Sequence, residues 1–209
     1  MLNADVLTFK EFMMHEPLPL STLHRAVLDF LRGRDDVVLF GAQAVNAYVS
    51  EPRMTQDVDL MSNRARALAE ELKQHLHGKF QIAIRVREIG EGKGYRIYQV
   101  QSGGNRHLVD LRPVESLPLA RRIEQVWVMA PAELIASKVI SYHQRRGKPK
   151  SGTDWRDLAL LLLTFPDLKQ DASPVATCLQ AAGADAEILD VWRALVRMEI
   201  EAEDEDDEF

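Results

Sequence analysis

The chain has 209 residues, 46% of them hydrophobic and 28% charged, a composition that supports a packed core and excludes a disordered chain. No apolar run approaches the roughly 20 residues of a membrane span, the longest being residues 158–163, and the first residues lack a basic-then-apolar leader. A single cysteine, Cys178, excludes a disulfide framework and any cysteine-rich metal site, so we expect a cytoplasmic protein without membrane contact.

Lys and Arg number 26 against 32 Asp and Glu, for a formal charge of −6. The excess comes from residues 199–208, with eight acids and no base, which leaves residues 1–198 with 26 cations against 24 anions, a net +2. Within that body, residues 79–156 carry fifteen Lys or Arg against seven Asp or Glu, a local +8. Such a charge suits a polyanion such as a nucleotide or RNA.

In chain order, Ser21 is placed to cap a helix with Leu23, Ala26, Val27, Phe30 and Leu31 on one face. Residues 37–40 form a short apolar run that predicts a buried strand, broken by Gly41. Ala44, Val45, Tyr48 and Val49 then recur at helical spacing up to Pro52. Residues 58–61 read as the next strand, Asn63 as the cap of a helix carrying Leu68, Ala69, Leu72 and Leu76, and residues 80–86 as a strand by their alternation. Residues 95–101 and 107–112 flank Ser-Gly-Gly-Asn, a hairpin signal. Residues 126–129 predict a last strand. Pro131 opens a helix, residues 145–152 form a basic loop, and Thr153 is placed to cap a helix that stops before Pro166. Two further helices follow, one from Ser173-Pro174 and one carrying Ile188, Val191, Trp192, Leu195 and Val196. We therefore expect an α/β (α+β) core over residues 1–129 with a mixed sheet, a C-terminal helical region over 130–198, and a disordered acidic tail over 199–209.

The chemistry concentrates in three segments: Phe40-Gly41-Ala42-Gln43-Ala44, then Arg53-Met54-Thr55-Gln56-Asp57-Val58-Asp59-Leu60, and much later Leu108-Val109-Asp110-Leu111-Arg112. Asp57 and Asp59 lie two apart on a predicted strand, so both carboxylates leave one face and suit a hard divalent cation. Asp110 sits among apolar strand residues, where a charge is costly unless it faces a metal or a partner. Gly41 lets a phosphate approach the backbone at a helix start, where free N–H groups favour anions. Together these are parts for metal-dependent nucleotidyl transfer. The six histidines show no metal-ligand spacing and read as surface groups, and Tyr48, Trp127, Trp155 and Trp192 as core.

The Gly-x-x-Ala segment, Arg-x-Thr-x-Asp-x-Asp-Leu and the later Val-Asp-Leu resemble the nucleotidyltransferase superfamily, specifically the AbiEii/AbiGii-type toxins of type IV toxin–antitoxin systems. Residues 130–138, Arg145-Arg146 and Asp154-Trp155-Arg156-Asp157-Leu158 are similar to that family's helical motifs. The resemblance implies a nucleotidyltransferase fold with Asp57, Asp59 and Asp110 as catalytic residues and ligands of Mg2+ or Mn2+. It implies nucleotide contacts from Gly41, Ala42, Arg53, Thr55, Lys138 and Asp157, with Asp154 close to Asp157 in standing. An NTP substrate, an RNA acceptor such as tRNA, and a cognate antitoxin protein follow from the same resemblance. The superfamily usually has Gly-Gly or Gly-Ser where this chain has Gly41-Ala42, so a hydroxyl contact to phosphate is missing. Two alternatives stay open: a binding module that keeps the fold without the chemistry, and a nucleotidyltransferase acting on a small molecule such as an antibiotic.

Overall fold

The computed structural model describes residues 18–101 and 103–202. The expected tail therefore lies outside the described residues from 203 onward, and Ser102 of the hairpin signal with it. The chain divides into two units, residues 1–129 and 130–209.

In the first unit, α1 (Leu20–Leu31) leads into β1 (Val37–Phe40), the short α2 (Gly41–Asn46), β2 (Val58–Ser62) and α3 (Ala65–Phe80). Five strands follow: β3 (Ile84–Ile89), β4 (Gly94–Gln99), β5 (Arg106–Pro113), β6 (Ala120–Ile123) and β7 (Val126–Met129). They form one mixed seven-stranded sheet in the order β3-β4-β5-β2-β1-β7-β6. The pairs β2–β5 and β1–β7 are parallel, the others antiparallel. One sheet face buries Val58, Leu60, Ile97, Val109 and Leu111, and the apolar stripes of α1 (Leu23, Val27, Leu31) and α3 (Leu68, Leu72, Leu76) are buried as well. α1 and α3 pack on each other and reach the sheet from that side.

Several boundaries differ from the sequence reading. α1 begins at Leu20 with Pro19 as its N-cap, so Ser21 lies inside the helix. α2 stops at Asn46, short of Pro52, because the Asn46 side chain clips the returning loop: its Nδ2 donates to the Arg53 carbonyl (2.7 Å) and its Oδ1 accepts from Arg53 N (3.0 Å). α3 runs on to Phe80 and is ended by a left-handed Gln81, so the alternation over 80–86 holds only from Ile84. Asn63 is not the α3 cap; Ser62 Oγ accepts from Arg64 N (3.0 Å) instead. β6, unseen in the sequence, is an edge strand paired to β7.

The second unit is helical: α4 (Pro131–Gln144), α5 (Lys150–Thr164), a 3-10 turn (Pro166–Leu168), α6 (Pro174–Ala181) and α7 (Ala186–Arg197). α4 packs against α5, α6 and α7 and buries Leu134, Ile135 and Val139. α5 starts at Lys150, ahead of Thr153, whose hydroxyl donates back to the Lys150 carbonyl. Asp185 caps α7, its carboxylate accepting from Ile188 N. Among the described residues no helix is long and apolar enough to cross a membrane.

A charged clasp closes the entry to β1. Arg34 donates two hydrogen bonds to Asp36 (2.9 and 2.8 Å) and one to Glu71 of α3 (2.8 Å), while Arg64 bonds the same two acids. The Arg34 hydrogen bonds hold the Asp36 carboxyl below its usual pKa, so the stability it contributes is present above the ordinary carboxylate range and lost as pH falls through the lowered value. Asp36→Asn is expected to cost about 1–3 kcal/mol at pH 7 and to flatten the acid limb of the melting-temperature profile. An unchanged acid limb would contradict the clasp.

Candidate active site

Parallel pairing of β2 with β5 sets Val58 beside Val109, Asp59 beside Asp110 and Leu60 beside Leu111. Burial alternates along β2, with Val58, Leu60 and Ser62 inward, so Asp59 and Asp110 stand together on the opposite face. Asp57 lies one residue ahead of β2 rather than on it, half-buried like Asp59.

β5 carries an irregularity that reshapes this cluster. Ile97 pairs with Val109 but Tyr98 pairs with His107, so Leu108 is an extra residue, a β-bulge. Leu108 and Val109 are accordingly both fully buried in succession. The bulge reverses the parity of the strand and turns His107 onto the same face as Asp110, three residues away. His107 Nδ1 lies 3.2 Å from Asp57 Oδ2 and Nε2 lies 3.4 Å from Asp110 Oδ1. Its ring centroid is 5.1 Å from that of Tyr98. The two carboxylates, Asp110 foremost, push the His107 pKa up to about 9, so it is a cation at neutral pH. Burial raises the Asp110 pKa, but the hydrogen bonds from His107 and Arg96 outweigh it and leave the carboxyl below its usual value. The Arg96 bond, Nε to Oδ1, is 2.9 Å.

Ligand atoms of Asp57, His107 and Asp110 all lie within 4.8 Å of one another, a set that fits a divalent cation once the imidazolium gives up its proton. Gly41 faces this cluster with φ +68°, and a Cβ there would overlap the Asp59 carboxylate. Only glycine combines that backbone with that approach. An open cleft of roughly 170 Å³ adjoins the carboxylates, bordered by Phe40, Asp59, Asp110, Lys93, Arg96 and Arg112; the Arg112 guanidinium stacks 5.0 Å over the Phe40 ring.

Thr55 is buried and accepts from Gln43 Nε2 of α2 (2.8 Å), and the Arg53 backbone is held by Asn46, so both residues secure the loop that delivers Asp57. Ala42 sits half-buried in the first turn of α2. In the helical unit, Lys138 of α4 is buried, with Nζ 2.6 Å from Asp157 and 3.8 Å from Asp154 of α5, and Arg145 also bonds Asp154 (2.9 and 3.0 Å). Lys138, Asp154 and Asp157, all buried, thus form one network with the partly exposed Arg145, and its four formal charges cancel.

The histidine reading needs correction. His107 belongs to the carboxylate cluster and His24 is 3% exposed, so neither is a surface group. No local sequence signal marks His107, because the bulge that turns it depends on how β5 pairs with β4.

The family model described as nucleotidyl transferase AbiEii toxin, type IV TA system, matches residues 25–207. The chain belongs to the AbiEii family. It is thus a nucleotidyltransferase by family, and its mixed sheet with helices agrees in fold with solved nucleotidyltransferases. The Megavirus polyadenylate synthase superposes with a TM-score of 0.56 at 13% identity, covering 70% of this chain and 32% of the viral one. This chain therefore spans about a third of that enzyme's length. JHP933 from Helicobacter pylori gives 0.53 at 13% identity over 91% of this chain and 92% of its own. The antibiotic-resistance factor ANT(2'')-Ia gives 0.50 at 14% identity over 83% and 96%. No curated protein matches the sequence.

Removing Lys138 would take from Asp157 its 2.6 Å partner and from Asp154 one of its two cations. Lys138→Met is expected to lose about 3–5 kcal/mol in chemical denaturation. A variant as stable as its parent and weakened only in NTP binding would assign Lys138 to phosphate instead.

Proposed function

We propose that this AbiEii-family protein moves a nucleoside monophosphate from an NTP to a hydroxyl of RNA, tRNA foremost, within the cytoplasm, and that a cognate antitoxin protein restrains it. The observation that carries the reading is the registered Asp59–Asp110 pair on adjacent parallel strands, with Asp57 alongside and Gly41 opposite. In this reading Asp57, Asp59 and Asp110 hold Mg2+ or Mn2+, hard ions that carboxylate oxygens suit. A bound divalent ion supplies charge neutralisation for the phosphates.

The chain's own groups do the rest. Gly41 and Ala42 offer backbone to the phosphates, and Lys93 and Arg112 at the cleft counter the triphosphate charge. The acceptor oxygen attacks the α-phosphorus, and the bond from that phosphorus to the oxygen bridging to the β-phosphate breaks. Pyrophosphate leaves with that electron pair, and the hydroxyl proton passes to the ionised Asp110. Arg53 and Thr55 support the Asp57 loop. Lys138 and Asp157 brace α4 on α5, because the lysine charge is already matched inside the helical unit.

Two observations keep competing readings in the test. Ala42 lacks the hydroxyl a phosphate contact would use, which favours a binding module, and the likeness to ANT(2'')-Ia, an antibiotic-resistance factor, favours a small-molecule acceptor. Each of four α-labelled NTPs is incubated with Mg2+ or Mn2+, protein and either total RNA, a protein extract or aminoglycosides. We expect label in RNA, reduced at least about a hundredfold in Asp57→Asn and Asp110→Asn. Label in the aminoglycosides would reassign the acceptor, and no label anywhere from a folded protein that still binds NTP would favour the binding module.

A further inference from the structure

The face of the sheet that carries the carboxylates bears two rows of registered side chains. Strand pairing aligns Arg87 with Arg96, Arg96 with Asp110, and Asp110 with Asp59. Beside it, Arg85 pairs with Tyr98 and Tyr98 with His107, which meets Asp57. Each row thus runs from cations on the β3–β4 hairpin to carboxylates at β5 and β2. At about 4.8 Å per strand, the first row spans about 14 Å.

Burial fits this division. Arg85, Arg87 and Arg96 are exposed, Tyr98 is half-buried, and Ile97 between Arg96 and Tyr98 is fully buried on the other face. Arg85 and Arg87, two residues apart, are about 7 Å apart along the strand, which grips a chain of charges rather than a single one. Tyr98 stands between these arginines and His107, presenting an aromatic surface amid cations. Flat aromatic surface interleaved with arginine on an open sheet is the chemistry that binds single-stranded nucleic acid, bases stacking and phosphates pairing. An acidic protein segment would use the cations but leave the aromatic pair without a purpose.

We propose that the β3–β4 hairpin is the acceptor platform, taking the single-stranded end of an RNA with its phosphates on Arg85 and Arg87 and a base on Tyr98. This rests on the nucleotidyl-transfer reading above. A strand laid along the rows leads from the cations to the carboxylates, so its terminal hydroxyl arrives at Asp110.

The test is fluorescence anisotropy of a labelled single-stranded RNA with a free 3′ hydroxyl, titrated with the full chain without NTP or metal. Binding of each NTP with Mn2+ is measured separately. The Arg85→Ser/Arg87→Ser double variant is expected to bind RNA at least about tenfold more weakly, with the log–log salt slope reduced by about 1.4. Tyr98→Leu should weaken binding about tenfold with the slope unchanged, and Tyr98→Phe should restore it. Melting temperatures equal to the parent's certify the fold of each variant, and Arg85→Lys/Arg87→Lys, which keeps the charge, should retain most of the salt slope. Unchanged RNA affinity in both the double variant and Tyr98→Leu overturns the proposal. So does a wild-type chain that binds no RNA, or one whose RNA is displaced equally well by an acidic peptide of matched charge. If RNA binding depends on these residues but no NTP binds, the platform stands and the transfer reading falls. If NTP binds and RNA does not, the reverse holds.

Discussion

The parallel pairing of β2 with β5 is the constraint on which the first unit depends. Five residue pairs, from Val58 beside Val109 to Ser62 beside Pro113, fix it near the centre of the sheet. A slip of one residue would turn Asp59 into the core and expose Val58 and Leu60, since side chains alternate with period two. Burying an unpaired carboxylate is far costlier than losing one apolar contact, so core packing and the placement of the acids are one condition. The same register that fills the core under α1 and α3 sets Asp59 next to Asp110 on the other face.

Electrostatics then has to make such a cluster tolerable. Asp57, Asp59 and Asp110, carried on one side of the sheet, repel, and the structure answers with cations: His107, turned onto that face of β5 by the Leu108 bulge, and Arg96 facing Asp110 from β4. These groups keep Asp110 ionised, the state both cation binding and proton acceptance require. The helical unit solves a similar problem differently. Lys138, Asp154 and Asp157, with Arg145 at the rim, cancel one another in a network that binds α4 to α5, and a network of this kind is held together by the cost of leaving a buried member unpaired.

What was legible in the sequence follows from how local each feature is. The strand–Gly–helix turn at Gly41, the Asp57/Asp59 spacing and the charge of Asp110 amid Leu108, Val109 and Leu111 are all visible within a few residues, and they pointed to the nucleotidyltransferase fold and the AbiEii family. Helix ends were harder. Residues 80–86 alternate like a strand, yet α3 takes Phe80 because its last turn continues the Leu68–Leu72–Leu76 stripe, and Ser21, Asn63 and Thr153 have capping chemistry that neighbouring residues pre-empt. β6 exists because β7 offers it an edge. His107 was misread because its direction is set by the pairing of β5 with β4, a contact between segments that no window along the chain contains. The burial of Lys138 is of the same kind, decided by Asp157 on the next helix.

We propose that β2 and β5, with Asp57 just ahead of β2, together form a divalent-cation site. The most direct test is paramagnetic broadening by Mn2+ of the amide spectrum of the isotopically labelled full chain, in the presence of a non-hydrolysable NTP analogue. We expect the amides of residues 57–60 and 107–111 to broaden first and to be spared in Asp57→Asn/Asp110→Asn. Broadening confined to the acidic residues 199–208, with β2 and β5 undisturbed, would contradict it.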